Sequence, residues 1–206
     1  MVGERSEPWQ SQEGGPVKRT EIRIAGFGGQ GVVLAGVLLG TAAAVTDGRR
    51  AVQTQSYGAA ARGGGARSEV VVSDDPIIYP RVTHPDIMVA MSEEAMKKYG
   101  PEMRPGGLLI IDSDLVKDVN REDVRLVGVP ASNLATQELG RTIVANIVML
   151  GVLVAKTEVI SAAGMEVAIR DNVPPKTIEL NLKAFRKGLE LGKAAPIQEP
   201  AGHAIA

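Results

Sequence analysis

The feature that most constrains this chain is the hexapeptide Gly26-Phe27-Gly28-Gly29-Gln30-Gly31. It sits between a short run that begins at Glu21, EIRIAG, and a long uncharged apolar segment, Val32 to Val45. β-Branched residues entering glycine, followed by apolar residues over a helical length, predict strand, turn and helix. The hexapeptide satisfies G-x-G-x-x-G in the setting that gives this motif meaning. Glycines let the backbone turn tightly and approach a phosphate, and the N–H groups and dipole of the following helix favour an anion. Gly28, Gly29, Gln30 and Gly31 are therefore candidate ligands for a phosphate-bearing molecule. The competing reading is that the glycines only permit close packing of helix on strand.

The same grammar repeats along the chain. The first helix is expected over about Gly31 to Thr46, ended by Asp47-Gly48, and a second strand over Ala51 to Gln55. The stretch SYGAAARGGGARSE then makes regular structure unexpected until Arg67 or Ser68. Strand-like runs follow at Ser68 to Val72 and Asp86 to Met91, with the turn Ser73-Asp74-Asp75-Pro76 and the short run Ile77 to Tyr79 between them. Ser92 before Glu93 and Glu94 predicts a capped short helix to Tyr99. Leu108 to Asp112 and Val124 to Val129 read as further buried strands. Helix dominates from Ala131, strongest at Ile143 to Lys156, with Pro174-Pro175 opening an amphipathic helix to about Gly192.

This alternation predicts one α/β domain, Rossmann-like and doubly wound. Its sheet should be mainly parallel, of about five or more strands with flanking helices, and with room for antiparallel strands around residues 68 to 80. The domain is expected over residues 21–194, after a disordered or processed leader, 1–20, and before a disordered tail, 195–206.

Aromatic residues make up 3% of a chain that is 44% hydrophobic, so the core must be built from Val, Ile, Leu and Ala, which suits a buried parallel sheet. The 23 basic and 24 acidic residues are scattered, for a net charge of −1. That leaves no electrostatic footprint for nucleic acid or an anionic membrane. The longest apolar runs fall short of the roughly 20 residues of a membrane span. The leader lacks the apolar stretch of a secretory signal, so cytoplasm is the expected compartment. With no cysteine, the chain supplies no thiolate to an iron–sulfur cluster, and any redox metal belongs to a partner.

The second glycine-rich loop, Gln55 to Arg67, should emerge at the same sheet edge as the first, where ligands of such sheets bind. Arg62 and Arg67 offer forked hydrogen bonds to phosphate or carboxylate, Ser56 and Tyr57 offer hydroxyls, and Gln55 lies beside them. A solvated loop with no ligand is the alternative. A nicotinamide dinucleotide is disfavoured, because the second strand ends in Gln53-Thr54-Gln55 and not in an acid, and Asp47 precedes that strand. The lysine of the G-x-x-x-x-G-K-[ST] loop is also missing. His84 and His203 read as lone surface imidazoles. Asp112 and Asp114 read as a cap or turn before they read as ligands. Asn146, on an otherwise apolar helix, reads as a buried contact between helices or subunits.

Taken together, EIRIAGFGGQGVVLAG, TQSYGAAARGGGARSEVVVSD, PDIMVAMSEEA and GGLLIIDSDLV resemble the gamma subunit, or gamma domain, of 2-oxoacid:ferredoxin oxidoreductases, over about Glu21 to Leu191. The TQSYG form is most like the 2-oxoglutarate members. The resemblance implies an assembly, inactive as this chain alone, that oxidatively decarboxylates a 2-oxoacid on thiamine diphosphate. It passes electrons through iron–sulfur clusters to an iron–sulfur acceptor, ferredoxin, and releases acyl-coenzyme A and CO2. Thiamine diphosphate and the clusters would lie on alpha, beta and ferredoxin-like partner subunits. This chain would contribute to coenzyme A binding and to assembly, with Gly28 to Gly31 and Arg62 or Arg67 meeting phosphates and Gln55, Ser56 and Tyr57 nearest the thioester-forming end. Two rivals stand beside this: a purely structural subunit, and a stand-alone dehydrogenase that binds NAD.

Overall fold

The computed structural model describes residues 19–57, 65–157 and 159–200. The first strand, β1 (Thr20–Phe27), runs into the glycine turn and then α1 (Val32–Thr41), which widens into a π-helical segment at Ala42–Thr46. A hairpin follows, β2 (Arg50–Tyr57) and β3 (Gly65–Ser73). Next come β4 (Ile87–Ala90), α2 (Glu93–Tyr99), β5 (Leu108–Asp112) and β6 (Arg125–Val129). Four helices complete the fold: α3 (Ala131–Gln137), α4 (Ala145–Lys156), α5 (Ala162–Asn172) and α6 (Ile178–Ala194).

The six strands form one sheet in the order β2-β3-β1-β4-β5-β6. β1, β4, β5 and β6 pair in parallel, and β3 runs antiparallel between β1 and β2. Five strands thus point the same way, as expected of a doubly wound α/β domain, with β3 the reversed one. The insertion of β3 has a chemical consequence. In a dinucleotide fold the second strand lies beside the first and brings its terminal acid to the ribose. Here β3 fills that place and β2 is pushed to the sheet edge.

Alternation along the strands divides the core in two. Ile22 and Ile24 of β1 join Val70, Val72, Leu38, Leu39 and the helices α4 to α6 on one face. Ala25 joins Met88, Ala90, Met96, Tyr99 and Met103 on the other, under α2. Arg23 falls on this second face at 1% exposure. It is held by Glu69 at 2.7 Å and by Glu102, and its guanidinium lies 5.5 Å from the Tyr99 ring. A charge this deep is tolerated because it is paired and hydrogen-bonded.

Helix ends follow their local chemistry. Ser92 caps α2 by accepting from Ala95 N at 3.1 Å, and Ser161 caps α5 by accepting from Gly164 N at 2.9 Å. Asp47 terminates the first helix and accepts from both Ser161 N and Ser161 Oγ at 2.6 Å. It is thereby committed to the fold and not to a nucleotide. α4 and α6 pack so closely that Gly151 and Gly188 face each other's backbone.

Expectation and observation differ in places. The second strand continues past Gln55 through Ser56 and Tyr57, and the third begins already at Gly65. Pairing across the hairpin and with β1 recruits these residues into strands, a non-local gain that a local reading of Gly-Ala-Arg misses. Residues 77–79 are not a strand: Ile78 and Tyr79 are exposed, at the end of the sheet away from the glycine turn. Residues 195–200 belong to the fold, since Gln198 and Leu126 exchange backbone hydrogen bonds at 2.8 and 2.9 Å. The leader to residue 18, the glycine-rich segment 58–64 with Arg62, and residues 201–206 with His203 lie outside the described residues.

Candidate functional site

The ends of β1, β4 and β5 and the two ends of the 58–64 segment converge on one sheet edge. Phe27 is opposite Gly65, and Gly26 and Tyr57 are both opposite Ala66, so the two glycine-rich segments leave the sheet at the same level. Between them the turn at Gly28, Gly29 and Gln30 carries the chain into α1. Gly29 and Gly31 have φ of 100° and 72°, left-handed values that a side chain would strain. Gly31 is the N-cap of α1, and no side chain caps that helix among the described residues. The N–H groups of its first turn are therefore left for another acceptor.

Two amide side chains hold this turn. Gln30 Oε1 accepts from Phe27 N at 2.6 Å while its Nε2 donates to Met91 O at 2.8 Å, stitching the end of β1 to the residue after β4. The side chain of Gln30 is thus occupied within the protein. From the other side Asn146, 2% exposed in the first turn of α4, donates to Gly31 O at 3.0 Å. Sequence reasoning set Asn146 down as a buried contact; its partner is the glycine turn itself.

Beside the turn lies a cleft of ≈ 300 Å³, lined among others by Gly29, Gln30, Met91, Leu115, Thr142 and Ile143. It is mainly apolar, with Leu115 and Ile143 partly open to solvent. Gly29 and Gln30 were legible in the sequence, but Leu115 in the turn after β5, Ser132 in the first turn of α3 and Thr142 before α4 were not, because the fold brings them together from separate elements.

The expected second-loop residues divide between two faces. Residues opposite one another in antiparallel strands share a face, so Ser56 and Arg67 lie on the α2 side with Ala25, while Gln55 lies on the α1 side with Ser68 and Ile24. Gln55 and Ser56 are exposed. Arg67 is half-buried, with its guanidinium 5.2 Å from the Tyr99 ring and its Nε 3.6 Å from Glu69. That Nε has no hydrogen-bond partner among the described residues.

Asp112 and Asp114, at the end of β5, cap the start of α3. Asp112 accepts from Ser132 N at 3.1 Å, Ser132 Oγ at 2.6 Å and Asp114 N at 3.2 Å, and Asp114 accepts from Asn133 N at 2.6 Å. Burial pushes the Asp112 carboxyl above the ordinary aspartate range, and the bonds from Ser132 and Asp114 only partly oppose it. His84 is exposed beside Pro85. Among the described residues no group of three or more His, Cys, Asp or Glu is placed to hold a metal ion, and no helix is long and apolar enough to cross a membrane.

Comparison with known proteins places this geometry. Residues 21–191 match the family model described as pyruvate ferredoxin/flavodoxin oxidoreductase. The 2-oxoglutarate synthase subunit KorC of Methanocaldococcus jannaschii is 51% identical over 177 residues, spanning 85% of this chain and 95% of that one. The keto/oxoacid ferredoxin oxidoreductase gamma subunit of Geobacter sulfurreducens superposes with a TM-score of 0.76 at 43% identity, over 84% of this chain and 98% of that one. A 2-oxoglutarate:ferredoxin oxidoreductase from Magnetococcus marinus, solved with 2-oxoglutarate, coenzyme A and succinyl-CoA bound, superposes with a TM-score of 0.79 at 28% identity; the match covers 89% of this chain and 32% of that longer one. The chain belongs to the pyruvate ferredoxin/flavodoxin oxidoreductase family, as a gamma subunit of a 2-oxoacid:ferredoxin oxidoreductase.

Proposed function

We propose that this gamma subunit serves a cytoplasmic 2-oxoglutarate:ferredoxin oxidoreductase, and that its glycine turn and second loop help to bind coenzyme A where the subunits meet. The complete enzyme would decarboxylate 2-oxoglutarate on thiamine diphosphate held by alpha and beta subunits, send the electrons through partner clusters to ferredoxin, and transfer the succinyl group to the thiol of coenzyme A. The chain lacks cysteine, in keeping with clusters carried elsewhere. The choice of 2-oxoglutarate rests on the 51% identity to a 2-oxoglutarate synthase subunit.

The observation that carries the coenzyme A role is the uncapped start of α1, preceded by two left-handed glycines, at the sheet edge from which the 58–64 segment also leaves. N–H groups at such a helix start donate to a phosphate oxygen, and the helix dipole favours the charge. Arg67, whose Nε has no hydrogen-bond partner among the described residues, and Arg62 would supply further donors for a diphosphate or 3′-phosphate. The likeness to an oxidoreductase solved with coenzyme A and succinyl-CoA supports the same ligand. One set of contacts favours the purely structural reading for two residues: Gln30 is bonded at both ends inside the fold, and Arg67 rests on Tyr99 and Glu69. An NAD-dependent dehydrogenase finds no support, since β3 stands where the ribose-binding strand belongs.

In the reconstituted enzyme, Arg62→Ala and Arg67→Ala should each raise the apparent KM for coenzyme A and spare that for the oxoacid. Unchanged coenzyme A kinetics in both would remove the coenzyme A role. Viologen reduction with pyruvate or branched-chain oxoacids, but not with 2-oxoglutarate, would remove the substrate assignment.

A further inference from the structure

Gly31 is the residue on which the proposed coenzyme A contact turns, and its carbonyl oxygen accepts two hydrogen bonds. One comes from Ala35 N at 3.0 Å, the first bond of α1, and the other from Asn146 Nδ2 at 3.0 Å. Asn146 is the one polar side chain in the stretch 145–154 of α4, where every residue is buried. An amide in such a place costs free energy unless it is bonded, and an aliphatic residue would suit the packing better. Its oxygen accepts from Ile147 N at 2.9 Å within its own helix, so among the described residues its one bond to another element is to Gly31.

The two residues also constrain each other sterically. A Cβ on Gly31 would overlap Asn146 Nδ2 and lie 3.2 Å from Asn146 Cγ. Gly31 must then keep both its left-handed φ and its missing side chain for Asn146 to reach the carbonyl. With Gln30 fastening the preceding peptide to Met91, the turn is held at both ends by amides. Orienting the Gly31 peptide orients the N–H groups of Val32, Val33 and Leu34, which have no acceptor inside the helix.

We propose that Asn146 is a positioning residue for coenzyme A: by holding the Gly31 carbonyl it fixes the direction of the donors at the start of α1 before the ligand arrives. The inference rests on the coenzyme A reading above. Donors held in place lose no orientational freedom on binding, which is the benefit of preorganisation. Asn146 itself touches no ligand, so its effect belongs to affinity for coenzyme A and not to the oxoacid.

The test uses the co-expressed complex carrying Asn146→Leu, close in size but without the donor. Coenzyme A affinity is measured by calorimetry in the absence of oxoacid, beside both KM values, kcat and the melting temperature. Affinity for coenzyme A should fall by about tenfold, equivalent to about 1.4 kcal/mol, with a parallel rise in its KM, while the KM for 2-oxoglutarate stays unchanged. Coenzyme A affinity equal to that of the parent overturns the proposal. So does a general defect, with kcat and melting temperature lowered and both KM values raised, which marks a merely structural residue. If Asn146→Leu does not assemble, Asn146→Asp keeps the shape, removes the donor, and carries the same expectation and refutation. Arg62→Ala and Arg67→Ala run in parallel separate the two failures. A response to the arginines but not to Asn146 sinks this inference alone, whereas no response to any of them sinks the coenzyme A reading with it.

Discussion

Two glycine-to-alanine changes, Gly188→Ala in α6 and Gly40→Ala in α1, should move stability in opposite directions. Alanine has the higher helix propensity by about 1 kcal/mol, so on local grounds both should stabilise. At Gly40 the added Cβ meets only Gln53 Cβ at 3.7 Å, ordinary van der Waals contact, and the local gain should survive. At Gly188 the Cβ would overlap Val148 O and lie 2.9 Å from both Val148 C and Gly151 Cα. These are backbone atoms of α4, which no rotamer change removes, so the two helices must part. Overpacking of this kind costs about 1–3 kcal/mol, and a rigid neighbour puts the cost near the top of that range. Offset by the propensity gain, the net loss should be about 2 kcal/mol. For a chain of this size that lowers Tm by about 4–8 °C. Differential scanning calorimetry of parent and variants at one protein concentration measures it. A Gly188→Ala protein that melts at or above the parent would show that α4 and α6 are not in backbone contact, and the packing argument would be wrong.

Two further perturbations probe the buried charges. Replacing Arg23 with Leu leaves Glu69 deep in the fold with only Arg67 at 3.6 Å, and should cost about 3–5 kcal/mol by urea denaturation. Arg23→Leu combined with Glu69→Leu should recover much of that loss, and a single variant as stable as the parent would contradict the pairing. The Asp112 carboxyl is pushed up by burial, so its contribution to stability is full below the ordinary aspartate pKa and is lost as pH rises through the raised one. The stability of the parent relative to Asp112→Asn should therefore decline across that acidic window and then level off. Denaturation at stepped pH reads this directly, and a difference that grows with pH there would reverse the sign.

Much of the α/β frame was legible because it is written in local chemistry. The turn Gly26 to Gly31 between an aliphatic strand and an uncharged helix, the Ser92 cap of α2, the strand Leu108 to Asp112 and the helix opened by Pro174-Pro175 each carry their own signal within a few residues. The motifs TQSYG and GFGGQG pointed to the same family that the matched residues 21–191 establish. Ser56, Tyr57, Gly65 and Ala66 read locally as loop because their strand character comes from pairing with each other and with β1, over separations that no local window samples.

The order of residues by itself determined the glycine turn, the run of alternating elements, the aliphatic core and the absence of thiolates, all consequences of composition and short-range spacing. Tertiary structure alone decided that β3 enters between β1 and β2, which removes the place for a ribose-binding acid, and that Ser56 and Arg67 face one side while Gln55 faces the other. It also decided that Asn146 reaches Gly31 across 115 residues of chain and that Gln30 turns inward to Met91. Hydrogen bonds between distant segments are chosen by which elements pack together, and that choice is made by the burial of the whole core and not by any one stretch of it.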